Sequence, residues 1–250
     1  MFAPRQKHLF FAGLTGIAIL FLSALPASAE TINVDFSEGF GLTERVVQIL
    51  ALVTILSLAP SILVMVTSFV RIVVVLSLLR TAMGVQQSPP NSVIISLSLF
   101  LTAFVMAPVF ETAYETGIAP LINEEIEMGE AFSTTAKPFH TFMLTQVRDK
   151  DLQLFMDLSK TPAVEEQEDI PLQVIVPAFM ISELKRAFEI GFLIFVPFIV
   201  IDMIVASVLM SMGMMMLPPI IISLPFKLIF FVLVDGWHLI AGSLVQSFGT

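Results

Sequence analysis

Residues 179–210 read FMISELKRAFEIGFLIFVPFIVIDMIVASVLM. Five of these thirty-two positions are charged, and four of the five, Glu183, Lys185, Arg186 and Glu189, fall within the first eleven. The stretch from Ile190 to Met210 carries a single charge, Asp202, and no strand-like alternation. About 20 apolar residues suffice for a helix to cross a bilayer. This segment is therefore an apolar helix with a charged first third. IIISLPFKLIFFVLVDGWHLIAGSLVQSF (220–248) is a second such segment, and SMGMMMLPP (211–219) joins the two. Upstream, residues 46–79 are apolar almost throughout and residues 92–110 form another apolar helix, with the turn-rich TAMGVQQSPPN (81–91) between them. The pattern predicts an all-α membrane protein of four long, bent hydrophobic helices arranged as hairpins, 46–110 and 171–250, plus a small polar helical region at 111–170. Proline in a helix removes a hydrogen bond and bends it. The first helix is thus expected to kink or break at Ala59-Pro60 and Arg71. Phe195-Val196-Pro197 marks a similar point in the third.

Composition supports the same class. The 250 residues are 56% hydrophobic and only 13% charged, with a mean hydropathy of +0.94; soluble domains carry roughly twice that charged fraction. There is no cysteine, and His8, His140 and His238 are far apart, so the sequence offers no thiol nucleophile and no zinc-type ligand spacing. No catalytic residue, metal or cofactor is expected. A net charge of −9 without a basic cluster argues against nucleic-acid binding. An intramembrane protease would need HExxH or a paired aspartate, and Asp202 and Asp235 have no distinctive local context for such a pair. An ion-coupled transporter would show corresponding broken helices in two halves, and apart from the proline breaks the halves here do not correspond.

At the N-terminus, Arg5, Lys7 and His8 precede an apolar core at 9–25 and the small-residue site Ala27-Ser28-Ala29. This is the layout of a cleaved signal peptide, residues 1–29. Residues 30–45 then form an exported polar segment. The 111–170 region holds thirteen acidic and four basic residues. Within it, 139–158 reads as one amphipathic helix with a charged middle, and VEEQEDIP (164–171) as a charged linker. Counting crossings from an exported Glu30 puts 111–170 outside the cytoplasm, in keeping with the positive-inside tendency. It puts loop 211–219 at the cytoplasmic end of its hairpin. Lys185 and Arg186 then lie on the side where the tendency disfavours them.

Arg71, Glu183, Lys185, Arg186, Glu189, Asp202, Lys227 and Asp235 all lie in or beside apolar helices. A charge at mid-bilayer costs about 2.5–3.5 kcal/mol on insertion scales. The economical arrangement is a helical assembly in which these charges pair within or between subunits. Lys227 and Asp235 share a helix face but are too far apart to pair directly, so Glu183 and Glu189 are the candidate partners of Lys227. Asp202 and Asp235 read either as a proton or ion path or, preferred, as inter-helix pairs and caps.

PAFMISELKRAFEIGF (177–192) and PFKLIFFVLVDGW (225–237) resemble the two signature stretches of the FliP family of type III export-gate proteins, as do 201–219 and 79–91. The resemblance covers most of 45–248. The signal peptide and acidic outer region favour its flagellar branch over the injectisome counterpart. It implies a ring of about five copies assembling with FliQ and FliR in the bacterial inner membrane, within the flagellar basal body. FlhA and FlhB are the implied neighbours on the cytoplasmic side, and unfolded export substrates the cargo. It also implies helices that fold as bent hairpins partly lifted from the bilayer.

Methionine is unbranched and polarisable and repacks at low cost. Met212, Met214, Met215 and Met216, repeated around a ring, would make a soft hydrophobic constriction, which can gate by dewetting. Gly213 would let the loop bend, and Pro218 and Pro219 would stop the helix and aim the loop. Taken alone, the run reads somewhat better as ordinary apolar filler at a helix end. The family resemblance implies a methionine-rich gasket at this position.

Overall fold

A computed structural model of the chain describes residues 42–85, 87–160, 170–214 and 216–249. The predicted signal peptide, all but the last residues of the exported segment, most of the acidic linker, and Met215 lie outside the described residues. Among the described residues the secondary structure is helical throughout. Contacts group the chain into two compact units, residues 1–52 and residues 53–250. Of the first, only the opening of one helix is described.

Among the described residues, nine α-helices follow in order: α1 (Leu42–Met65), α2 (Phe69–Ala82), α3 (Asn91–Ala113), α4 (Ala119–Ile122), α5 (Met128–Gln146), α6 (Asp149–Ser159), α7 (Leu172–Ser211), α8 (Pro219–Leu233) and α9 (Gly236–Gln246). A single π turn, Tyr114–Ile118, carries α3 directly into α4. Among the described residues, three apolar helical stretches are long enough to cross a membrane: Val46–Met65, Asn91–Ile122 and Leu172–Ser211. The bent pair α8–α9, with 63° between its halves, makes a possible fourth. The chain is an all-α membrane protein. At 40 residues, α7 is about 60 Å long at 1.5 Å per residue, twice the roughly 30 Å hydrocarbon thickness. It is therefore longer than one simple span.

α2 contains Val73, Val74 and Val75 in a row, a β-branched run with poor intrinsic helix propensity. Tertiary burial overrides that weakness. Ile72, Val75, Leu76 and Leu79 are fully buried and form the centre of the main core with Ala187 and Phe198 of α7, Phe231 of α8 and Leu244 of α9. The α2–α7 contact is close because position 191 is glycine: a Cβ there would come within 2.3 Å of Leu78 Cδ1. A second cluster joins Met143 of α5 and Leu152 of α6 to Ile175, Ala178 and Phe179 of α7. Phe142 packs against both clusters, with its ring edge-on to Phe179 and stacked on Phe248.

Two expected breaks move. Pro60 sits inside α1, and Arg71 sits inside α2; the chain breaks between them, at Val66–Ser68. The proline is tolerated because it costs one ladder bond in an otherwise regular helix. The break instead falls where Thr67 and Ser68 are buried and Phe69 N–H turns to the Thr67 hydroxyl, 3.4 Å away. Likewise, 139–158 is not one helix. Arg148 is extended (φ −88°, ψ 137°) and separates α5 from α6, because its backbone N–H is taken by Ser182 Oγ of α7 at 3.1 Å.

Candidate functional site

Of the charges in or beside the apolar helices, Arg71, Glu183 and Arg186 gather in one buried polar cluster, and Asp202 and Lys227 in a second, partly buried one. The first is centred on Arg71, whose side chain is 1% exposed. A guanidinium has five N–H donors, and here all five are used. Nε donates to Glu183 Oε2 at 2.8 Å, and Nη2 donates to Glu183 Oε1, closing a two-pronged pair. Nη2 also donates to Gln146 Oε1 at 3.0 Å. Nη1 donates to the carbonyl oxygen and the hydroxyl of Ser247, at 3.1 and 3.0 Å. The ring of Phe248 covers the guanidinium face, 3.7 Å from its carbon. Planar, forked guanidinium geometry suits such bidentate and stacked sites, where a lysine would not substitute. Gln146 Oε1 accepts a second bond from Arg186 Nη1 at 2.9 Å, and its amide donates to Phe248 O at 3.3 Å. One guanidinium thus ties α2, α5, α7 and the end of α9 together, and none of its donors is left over to bind anything else.

The second cluster lies between α7 and α8. Lys227 Nζ donates to Asp202 Oδ2 at 2.6 Å and to Ala82 O at 3.4 Å. Ser223 Oγ donates to Asp202 Oδ1. Ala82 closes α2, so the ammonium also neutralises that helix's negative end. The expected partners of Lys227, Glu183 and Glu189, are corrected here. α8 runs back along the C-terminal half of α7, with Asp202 against Ser223 and Lys227, and Phe198 against Phe230 and Phe231. Glu189 lies thirteen residues further up α7, about 20 Å, and Glu183 nineteen, about 29 Å. Neither reaches. Glu183 belongs to Arg71, and Glu189 pairs with Lys185 at 2.9 Å across one exposed helical turn.

Of the remaining charges, Arg186 bonds Gln146, and Asp235 stands exposed in a left-handed conformation (φ 50°) at the α8–α9 bend. There the ring of Trp237 packs edge-on to Phe231 at 5.4 Å. Sequence reasoning missed Gln146, Ser247 and Phe248 as members of the Arg71 cluster. It also missed Asp151, whose carboxylate takes Arg148 Nε at 2.8 Å and the Ser182 hydroxyl at 2.6 Å. Desolvation pushes the Asp151 carboxyl up, but the Ser182 and Arg148 hydrogen bonds outweigh it and hold the group below the ordinary carboxylate range.

The methionine loop is built differently. α7 ends at Met212 in a Schellman turn: Gly213 N–H donates to Met210 O at 3.1 Å and Met214 N–H to Leu209 O at 3.0 Å. Gly213 has φ +75°, a conformation that costs an L side chain about 1–2 kcal/mol. Pro218 precedes α8 and Pro219 opens it, where a missing N–H costs nothing. Between these fixed ends the thioethers face outward. Met216 is 98% exposed, Met212 66% and Met214 38%. By contrast Met83, Met106 and Met143 are buried. Beside the loop, Ile204, Val208, Ile222 and Phe226 line an apolar cleft between α7 and α8.

The fold and its polar clusters define an all-α membrane protein whose buried charges join its helices. The sequence profile of the FliP family matches residues 52–244, and the chain belongs to that family. It is 64% identical over 235 residues, 94% of this chain and 88% of the relative, to the flagellar biosynthetic protein FliP of Caulobacter vibrioides. It is 53% identical over 219 residues, 88% of this chain and 99% of the relative, to that of Bacillus subtilis. Identity to that of Aquifex aeolicus is 48% over 234 residues, 93% of this chain and 98% of the relative.

Proposed function

We propose that this chain is the core pore-forming subunit of the flagellar type III protein export gate, passing unfolded substrates from the cytoplasm toward the periplasmic side. Membership of the FliP family carries the reading, since the named relatives span nearly the whole chain. In this reading about five copies form a ring in the inner membrane with FliQ and FliR, and FlhA and FlhB sit on the cytoplasmic side. Exposed apolar faces support assembly. Phe192, Leu193, Val196, Ile199 and Val200 line much of the middle of α7 without cover from the chain itself, and contiguous exposed apolar surface marks lipid or partner contact.

Met212, Met214, Met215 and Met216 are the seal. Three of them stand exposed on a loop whose ends are fixed by Gly213 and Pro218-Pro219. Flexible apolar side chains close around an empty path or around a passing chain of any sequence. The buried pairs hold the helices that carry this loop. A photo-crosslinking residue placed at position 216, in cells exporting a substrate stalled by a folded tail, tests the assignment. The expected product is a crosslink to the stalled substrate. Crosslinks only to lipid or to sister subunits, with the substrate stalled, would contradict it.

A further inference from the structure

The exposed methionines have a chemistry that the seal does not use. A thioether sulfur is oxidised by two-electron oxidants to the sulfoxide, and susceptibility follows exposure. The described methionines span the full range of exposure: Met212 and Met216 are open, Met214 is 38% exposed, and Met83, Met106 and Met143 are buried. Met128, 72% exposed in the polar 111–170 region, is an internal reference for a freely reacting sulfur. Met203 and Met210 are exposed on the same apolar α7 surface that membrane or neighbouring copies are expected to cover.

We propose that the loop between α7 and α8 is a reversible oxidation site, at which hydrogen peroxide or a related peroxide converts Met212, Met214 and Met216 to sulfoxides and so opens the seal. This rests on the seal assignment above. In the step, a sulfur lone pair attacks one peroxide oxygen. The S–O bond forms as the O–O bond breaks, and the other oxygen leaves as water after proton transfer. Sulfur loses two electrons and the peroxide gains them.

The consequence follows from polarity. A sulfoxide oxygen is a strong hydrogen-bond acceptor, so a ring of sulfoxides holds water where a ring of thioethers excludes it. The fold does not register the change. The turn is held by backbone bonds, Gly213 to Met210 and Met214 to Leu209, and the three sulfurs lie outside the packed core. Enzymatic reduction of methionine sulfoxide restores the thioether. The loop therefore couples oxidant level to membrane leak without unfolding the chain.

The test uses membranes containing the full assembly, treated with graded hydrogen peroxide. Peptide mass spectrometry reads each gain of about 16 Da, the mass of one oxygen, and an ion-sensitive dye reads leak. Met212 and Met216, drawn together with sister copies in the seal, are expected to oxidise more slowly than the freely exposed Met128 but about tenfold faster than Met83, Met106 and Met143. Leak is expected to rise roughly tenfold in step with loop oxidation and to fall back after treatment with methionine sulfoxide reductase. The triple variant Met212→Leu/Met214→Leu/Met216→Leu keeps the loop apolar without oxidisable sulfur, and its leak should ignore peroxide. Unmodified loop methionines alongside oxidised Met128 would overturn the proposal. Loop sulfoxide without added leak would also overturn it, in an assembly where replacing the same methionines by alanine does cause leak. If neither treatment causes leak, it is the seal that fails.

Discussion

One helix, α7, passes through two regions built on opposite rules. Eight of its ten buried residues lie before Phe192, so its first half is buried against several helices, while its second half is covered along one side only, mainly by α8. In the first half Glu183 is matched by both prongs of Arg71, and Ser182 by Asp151 and Arg148. At the far end Met212, Met214 and Met216 project from a turn held by backbone alone. The first region is specified by directional bonds and tolerates little; the second is specified by a backbone turn and asks of its side chains only that they be apolar and deformable. In the proposed export-gate role, a chain that stays assembled while its opening changes shape uses both, kept apart.

Breaking one partner of the first region should have the largest effect. Arg71→Met or Glu183→Leu leaves an unpaired buried charge, a loss of about 3–5 kcal/mol, read as a large fall in the thermal transition and in folded yield from detergent. The double variant should lose less than the sum, because the remaining charge no longer lacks a partner. Additive losses would show that the pair does not couple.

Gly191→Ala comes next. Its Cβ would meet Leu78 Cδ1 at 2.3 Å, an overpacking of about 1–3 kcal/mol. Leu78→Ala on the same chain should recover part of that loss, and an unrelieved loss would place the strain elsewhere. Gly213→Ala should cost about 1–2 kcal/mol through its left-handed backbone, an effect on the turn rather than on the core. A thermal melt alone separates these from the Arg71 variants by size.

Asp151 sharpens the comparison through pH. Its folded carboxyl lies below the ordinary carboxylate range. The stability it contributes is therefore present above its unfolded value of about 3.9 and is lost as pH falls through the lower, folded value. Acid melts should show this loss in the parent chain and a flatter profile in Asp151→Asn. The smallest effect belongs to Lys185→Ala. Its pair with Glu189 lies exposed on one helical turn, and such pairs contribute little, so no shift in the melt is expected.

The same division explains what the sequence made legible. The apolar segments, the α7–α8 hairpin and the methionine loop could be read directly, because each depends on neighbours along the chain. The Arg71 cluster could not. Its partners Glu183 and Ser247 lie 112 and 176 residues away, and along the sequence Arg71 looks only like an interruption. Lys227 was assigned to the wrong carboxylates for a related reason. Helix pairing decides which charge sits opposite which, and Asp202 became the partner only once α8 was laid antiparallel to α7. The break at Val66–Ser68 had no proline or glycine to announce it. The π turn at Tyr114–Ile118 likewise went unannounced: the sequence closes its apolar helix at 110, where the composition changes, yet the helix continues through this turn to Ile122.

The central claim is that the loop seals and the charged clusters hold. Its most direct test replaces Met212, Met214, Met215 and Met216 by alanine together, then measures ion leak and ring mass on the same membranes. The account predicts a ring of unchanged mass and thermal transition, with leak well above that of the parent. A ring of full mass that leaks no more than the parent would contradict it.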